Sequence, residues 1–410
     1  MYIRDIRIRN FLVHQSTEMK LSPLTVFVGP NGGGKSAFFD AVLNFSMLAR
    51  GSLQQAFGPY PFSYRATLYR GASPVSRIGY RVSMSKGEHE TDSLTYEIDY
   101  NQTGQTEEEG RFTIYKERLA KNPGDHVLFD RSEPDLYPIS AALPLGQDRS
   151  VFAALRQVQI TGTPPTTDDL FSYCTQQISR FNKFRLDPFV LSQPSRVPDF
   201  GDASTPIRIP KLGYHGEDLA ATLYCLSETK SPSLDLIRQK IQEVEPAFRD
   251  FEFNMIGTDR VGFSVVYDDT RGSITAVRLS SGMLIFIGLI VLVASPGRPP
   301  VLMVEEPENG LTPQAVKAFY RAVRDLAFAD APENRSQVLI SSHSPFVICE
   351  AWNGEDRDFI HQVKVVHGKA QIRKFSDIVR EQGIQLSKVE GERKCLSLKN
   401  AEEIMSGYLS

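Results

Sequence analysis

Residues 24–39 read LTVFVGPNGGGKSAFF, and the reading of this stretch decides the fold. Thr25, Val26, Phe27 and Val28 make an apolar run typical of a buried strand, and a new apolar pattern at helical spacing begins after Ser36. Gly29-Pro30-Asn31-Gly32-Gly33-Gly34-Lys35-Ser36 lies between them, so the order is strand, glycine loop, helix. A triphosphate wrapped by backbone N–H groups needs glycine wherever a Cβ would collide with it or φ must be positive, which suits Gly29, Gly32 and Gly34 to an anion nest. Lys35 would set a point charge on the β- and γ-phosphates and the Ser36 hydroxyl would ligate Mg²⁺, while the next helix aims its N-terminal dipole at the same anion. Asn31, Gly32, Gly33, Gly34, Lys35 and Ser36 are therefore the expected nucleotide contacts. The plainer alternative, a glycine-rich turn with a chance Lys-Ser, leaves the strand-loop-helix context unexplained.

Working outward, the 410 residues suffice for two or three domains, and 41% hydrophobic with 23% charged residues is ordinary globular composition. A net charge of −3 gives no global field that attracts nucleic acid, so any DNA contact must come from a local patch. The four cysteines are scattered without metal-ligand spacing, which suits a reducing compartment. The start, MYIRDIRIRNF, alternates charge with apolar residues and offers no signal-peptide h-region. The apolar run Met283 to Ala294 is shorter than the roughly 20 residues of a membrane span and reads as a buried helix. A cytoplasmic protein without a membrane partner is expected.

Tyr2 to Phe11 alternates as a strand, with Ile3, Ile6 and Ile8 between arginines and one slip in the spacing around Asp5. Ser36 to Arg50 reads as a helix. From Gly51 to about Leu145 short alternating runs (Arg77 to Ser85, Ser93 to Tyr100, Arg111 to Tyr115) suggest an antiparallel meander, with the acidic run Glu107-Glu108-Glu109 as a solvated hairpin tip. Helical segments with proline-marked loops follow. Strand and helix patterns then alternate to the end, and Phe375 to Ser410 reads as a helical closure. The expected fold class is α/β, a mixed or parallel sheet with flanking helices plus an antiparallel β meander. Residues 1–50 and 231–410 would form one nucleotide-binding core, with an inserted β and helical region at 51–230.

Three stretches complete the site. Val301-Leu302-Met303-Val304-Glu305-Glu306-Pro307-Glu308 is a buried strand delivering two carboxylates at its C-terminal end, where open α/β sheets bind ligands. Glu305 is assigned to the Mg²⁺ shell and Glu306 to polarising the attacking water. Gln337 to Pro345, QVLISSHSP, is a second apolar strand ending at His343, whose ring N–H could sense a γ-phosphate. In Arg278-Leu279-Ser280-Ser281-Gly282-Met283, Ser280 can N-cap the apolar helix that follows, giving a second helix N-terminus with a hydroxyl and a glycine.

In this order, NGGGKS, a long interruption, the Gly216-Glu217-Asp218-Leu219-Ala220 helix start, LSSGML, EEPENGL and SSHSPF resemble the ATP-binding-cassette (ABC) ATPases. The chain is most similar to their RecF/SMC-like branch, which includes the ATPase domain of the OLD nucleases and the stand-alone AAA_21 ATPases of bacterial anti-phage defence operons. The resemblance implies ATP and Mg²⁺ as cofactors. It implies an ATP-sandwiched homodimer or higher oligomer in which Ser280 and Gly282 touch the γ-phosphate held by a second protomer, and Asn309 to Thr312 cross the interface. The family often has His or Asp where Thr312 stands and Gly at Ser281, so these positions depart from its pattern. Gln54 and Gln55 are the candidates for the glutamine that bridges Mg²⁺ to the interruption.

The resemblance further implies a nucleotide-driven dimerisation switch controlling a separate effector, such as a nuclease. No heptad stretch between Ser36 and Ser280 supports SMC-type arms. The stretch after His343 is read as too short for a Toprim nuclease domain, and Asp356-Arg357-Asp358, a D-x-D string, lacks the preceding acidic strand. DNA is a candidate partner through Arg180, Lys183, Arg185, Arg196, Arg208 and Lys211, interleaved with Phe181, Phe184 and Phe189. The alternatives are a RecF-like repair ATPase that binds DNA and an ATP-dependent assembly scaffold with little turnover.

Overall fold

The computed structural model describes residues 1–57, 63–73, 75–104, 110–133, 143, 145–161, 168–198, 208–354, 356–384, 387–389 and 393–406. The acidic run Glu107 to Glu109 lies outside them. The N-terminal piece is β1 (Tyr2–Phe11), β2 (His14–Lys20), β3 (Leu24–Val28) and α1 (Lys35–Leu48). β4 (Ile78–Ser85), β5 (Ser93–Thr103), β6 (Arg111–Asn122) and β7 (His126–Asp130) follow, then α2 (Val151–Thr161) and α3 (Asp169–Ile178). The short β8 (Asn182–Phe184) and β9 (Ser195–Arg196) precede α4 (Leu219–Glu228) and α5 (Pro232–Gln242). β10 (Phe248–Ile256), β11 (Arg260–Tyr267) and β12 (Ser273–Thr275) lead to α6 (Ser281–Ala294). The last third holds β13 (Val301–Glu305), α7 (Pro313–Ala327), β14 (Gln337–Ser342), α8 (Pro345–Asn353), β15 (Ile360–Val366) and β16 (Lys369–Lys374). It closes with the helices Phe375–Glu381 and Leu398–Ser406 around a two-stranded hairpin, where an all-helical end was expected.

Among the described residues the central sheet runs β16-β15-β3-β14-β13-β8. All its pairings are parallel except the edge strand β16. A parallel sheet is covered on both faces, and here the cover is legible residue by residue. Leu24, Val26, Val28, Leu302, Val304, Val338 and Ile340 point into one apolar core with α6, α7 and α8. Phe27, Val301, Met303 and Leu339 point into a second core with Phe38, Phe39 and Phe45 of α1. The antiparallel sheet β2-β1-β4-β5-β6-β7 closes over that second core. The stretch 51–230 thus shares sheets with both ends of the chain: β4 pairs with β1, and β8 lies alongside β13.

Two irregularities explain the alternation patterns. The β1–β4 register shifts between Ile3 and Asp5, which is the slip seen in the spacing of the isoleucines. In β6 the register shifts opposite Asp99 and Tyr100, leaving Tyr115 without a partner. Inward residues change from Phe112 and Ile114 to Glu117 and Leu119, so the run looks finished at Tyr115 although the strand continues to Asn122. α6 is buried along nearly its whole length, as a helix apolar on every side must be. No helix among the described residues is long and apolar enough to cross a membrane.

Candidate functional site

The parallel strands β3, β13 and β14 end at one edge of the central sheet, where the glycine loop, Glu306 and His343 follow them. β3 passes into the glycine loop, whose backbone is left-handed at Gly29 (φ 149°), Gly32 (φ 74°) and Gly34 (φ 100°). These are the three positions at which glycine was expected for positive φ or close approach. Gly33 is needed for room instead: a Cβ there would fall 2.7 Å from the Val363 carbonyl oxygen of β15 and 2.9 Å from that of Pro30. Lys35 is folded back over its own loop, donating to the carbonyls of Gly29 (2.7 Å) and Pro30 (3.0 Å). Burial lowers its pKa, opposed by the charges of Glu306, Glu308 and Glu305. Asn31, Gly32, Gly33, Gly34, Lys35, Ser36 and Glu306 line one cavity of about 710 Å³, together with Tyr69 and Arg70.

His14 anchors the loop from below. Its Nδ1 lies 2.9 Å from Thr17 Oγ1 and its Nε2 3.3 Å from the Gly34 carbonyl oxygen. Burial takes the ring pKa from 6.5 down to about 4. Between these values the unfolded chain binds a proton that the folded chain excludes, so stability is complete above the ordinary pKa and falls as pH drops towards about 4. The expected loss is roughly 3 kcal/mol, from about 1.4 kcal/mol per unit. Urea unfolding of wild type and His14→Gln at pH 7 and pH 4.5 checks this: the variant should lose distinctly less stability over that interval, and equal losses would refute it.

At the end of β13 the two carboxylates part. Glu305 is buried, and its Oε2 accepts from the Tyr214 hydroxyl at 2.9 Å and lies 3.4 Å from Lys183 Nζ. Glu306 has φ 47°, in the left-handed region that costs a non-glycine residue about 1 kcal/mol, and its N–H donates to the Ser341 carbonyl at 2.8 Å. This turn takes its carboxylate off the strand line and into the cavity lined by the glycine loop. There Arg185 Nη2 and Asn309 Nδ2 each lie 3.1 Å from Oε2. Both acids thus reach the strand exit, one beneath the cavity and one lining it.

Glu308 was not singled out in the sequence as a site residue. Its Oε1 accepts from Ser342 Oγ (2.8 Å) and from the His343 N–H (3.0 Å), tying the two strand ends together. His343 Nδ1 stands 3.4 Å from Glu308 Oε1 and 3.7 Å from Glu306 Oε1, beside the carboxylate that faces the cavity. Glu305 Oε1, Glu308 Oε2 and His343 Nδ1 are buried without a hydrogen-bond partner among the described residues. Such orphaned atoms fit an incoming polar group or cation. The unpartnered Glu305 Oε1 suits a magnesium ligand, and with no cluster of three His, Cys, Asp or Glu side chains among the described residues such an ion would rely on nucleotide phosphates for further ligands.

Ser280 caps α6 as expected, accepting from the Met283 N–H at 3.2 Å. It is exposed and does not line the cavity, and neither does Gly282. A Cβ on Gly282 would fall 2.3 Å from the Gly310 carbonyl oxygen, so this helix start packs on the loop that also supplies Asn309 to Glu306. Thr312 has a local task, capping α7 by accepting from the Ala315 N–H at 3.3 Å ahead of Pro313.

Two sequence expectations are corrected. Gln55 is committed to a capping box with Ser52, and neither Gln54 nor Gln55 lines the cavity. The segment whose exit adjoins Glu305 is β8, paired in parallel with β13, and it brings Lys183 and Arg185 instead. The aromatic-basic patch is corrected in part: Phe181 and Phe184 are buried, Lys183 is 8% exposed in its ion pairs and Arg185 engages Glu306, whereas Phe189, Arg196, Arg208 and Lys211 are exposed. Asp356 of the D-x-D string is held by Tyr320 (3.0 Å) and Arg324 (3.0 Å), a packing role.

A family model described as "AAA domain, putative AbiEii toxin, Type IV TA system" (AAA_21) matches residues 24–349. None of the curated proteins matches the chain. Among solved structures, an SMC head bound to the C-terminal winged-helix domain of ScpA aligns at a TM-score of 0.53 with 11% identity, covering 92% of this chain and all (100%) of that one. The SMC head domain from Thermotoga maritima aligns at 0.44 with 14% identity over 91% of this chain and 99% of that one. An SMC head with an extended coiled coil from Pyrococcus furiosus aligns at 0.47 with 10% identity over 93% and 100% of the two chains. The first of these likenesses is one of fold, the α/β head of the SMC and ABC ATPases.

Proposed function

Because the chain belongs to the AAA_21 family, with the head fold of the ABC/SMC-like ATPases, we propose that it binds and hydrolyses Mg–ATP and that the nucleotide drives closure of two copies. The observation that carries this reading is that Lys35, from the start of the chain, and Glu306, from the end of β13, line the same cavity of about 710 Å³. In the reaction the loop N–H groups and Lys35 bind the phosphates, and Glu306 takes the proton of the water attacking the γ-phosphate. Arg185 and Asn309 orient that carboxylate, and His343 stands beside it. Ser36 and Glu305 would hold magnesium, which would neutralise phosphate charge.

Closure is supported by what surrounds Ser280. Ser280 and Ser281 are exposed, Val277 beside them is 70% exposed, and none of them lines the chain's own cavity. A second copy would use this helix start on the γ-phosphate and be released when hydrolysis removes it. By the resemblance to defence-operon ATPases, the switch acts in bacterial anti-phage defence on a separate effector protein, a nuclease.

Sedimentation of Glu306→Gln tests the switch. With Mg–ATP the variant should sediment as a dimer, and it should return to monomer without nucleotide or with Ser280→Arg added. A variant that binds ATP and stays monomeric would overturn the sandwich reading.

A further inference from the structure

Lys183 lies on the three-residue strand β8, and its side chain, 8% exposed, sits between two carboxylates. Nζ stands 2.5 Å from Asp40 Oδ1, on α1, and 3.4 Å from Glu305 Oε2, at the end of β13. The Tyr214 ring covers it, with its centroid 5.2 Å away. A buried cation is stable only when paired, and here it is paired twice. The same arrangement holds Glu305 by Oε2 alone, through Lys183 and Tyr214, and leaves Oε1 buried and unpartnered. Asp40, Lys183 and Tyr214 line a cavity of about 670 Å³ that shares Leu12 and Ala66 with the nucleotide cavity, so ions can reach the cluster.

We propose that Lys183 is a resident cation filling what would otherwise be a second metal position between Asp40 and Glu305, and that it thereby restricts the site to one nucleotide-dependent magnesium at Glu305 Oε1. Lys183 is a positioning residue: it acts through Glu305. Without the ammonium, the buried Glu305 carboxylate and the partly exposed Asp40 carboxylate face each other across a space that one nitrogen now bridges, the setting that draws a divalent cation. The part concerning the nucleotide-dependent ion rests on the nucleotide reading above. The cation position itself does not.

Mn²⁺ titration followed by the EPR signal of the free aquo ion tests this on the full chain. Wild type should bind one Mn²⁺ with ATP beyond what the same ATP binds in a protein-free control, and none tightly without ATP. Lys183→Met should gain one nucleotide-free Mn²⁺, with affinity at least about tenfold above wild type, since two carboxylates replace a neutralised pair. Lys183→Arg should behave as wild type, and adding Asp40→Asn to Lys183→Met should abolish the gained ion. A folded Lys183→Met chain with no nucleotide-free Mn²⁺, or a gained ion that survives Asp40→Asn, overturns the proposal. Should Lys183→Met not fold, Asp40→Asn alone decides: Lys183 is then left entirely to Glu305, so ATP-dependent Mn²⁺ binding should weaken several-fold, and unchanged or tighter binding refutes it. Failure of the nucleotide reading looks different, because with ATP the wild type would then bind no Mn²⁺ beyond the protein-free ATP control, while the nucleotide-free comparison still reads Lys183.

Discussion

Glu306→Gln is expected to lower kcat for ATP hydrolysis by about 10² to 10⁴, the usual contribution of a positioned general base, with Mg–ATP affinity close to that of wild type. The size of the effect follows from how this side chain is held. A left-handed backbone (φ 47°), fixed by the N–H bond to Ser341, directs it into the cavity, and Arg185 and Asn309 both fasten Oε2. A carboxamide keeps the shape and one acceptor oxygen, so the surroundings need not rearrange, but it cannot take a proton. Steady-state phosphate release together with equilibrium binding of a fluorescent ATP analogue separates the two quantities. A variant that hydrolyses as fast as wild type would remove Glu306 from the chemistry and favour the assembly scaffold.

Lys35→Ala is expected to weaken ATP binding on the order of 100-fold or more, since hydrogen bonds to charged groups contribute about 1.5–3 kcal/mol each and Lys35 offers at least two to the phosphates. The ammonium is already buried at the cavity, parked on the carbonyls of Gly29 and Pro30. Phosphate oxygens would replace those carbonyls with full negative charge. Lys35→Arg should recover little, because a planar guanidinium does not fit a space shaped for a compact ammonium. Calorimetric titration with Mg–ATP measures the change, and a dissociation constant within about threefold of wild type would contradict the assigned role.

The parts of the site that could be read from the sequence are those whose residues are contiguous. Gly29 to Ser36 states its conformation in its own letters, because left-handed backbone and close approach to Val363 both demand glycine. Val301 to Glu306 announces a buried strand with acids at its exit, and Ser280 sits where a helix cap belongs. Lys183, Tyr214, Asp40 and Arg185 were not legible as site residues, because each reaches the acids by a tertiary pairing from a separate segment. Lys183 and Arg185 even suggested a nucleic-acid surface, since a basic residue next to phenylalanine looks alike whether it faces solvent or a buried carboxylate. The one available signal was weak: Asn182–Phe184 is a strand of three residues, too short to show a period. The second half of β6 was hidden in a similar way, because the Tyr115 bulge breaks its alternation.

The central claim is that the loop around Lys35 and the strand end at Glu306 make one magnesium-dependent ATP-hydrolysing pocket. A single-turnover experiment, with protein in excess over γ-labelled ATP and Mg²⁺, tests it most directly. The account predicts that wild type releases labelled phosphate, that Glu306→Gln retains the ATP uncleaved, and that Lys35→Ala does neither. Folded wild-type protein that leaves the ATP both unbound and intact would contradict it.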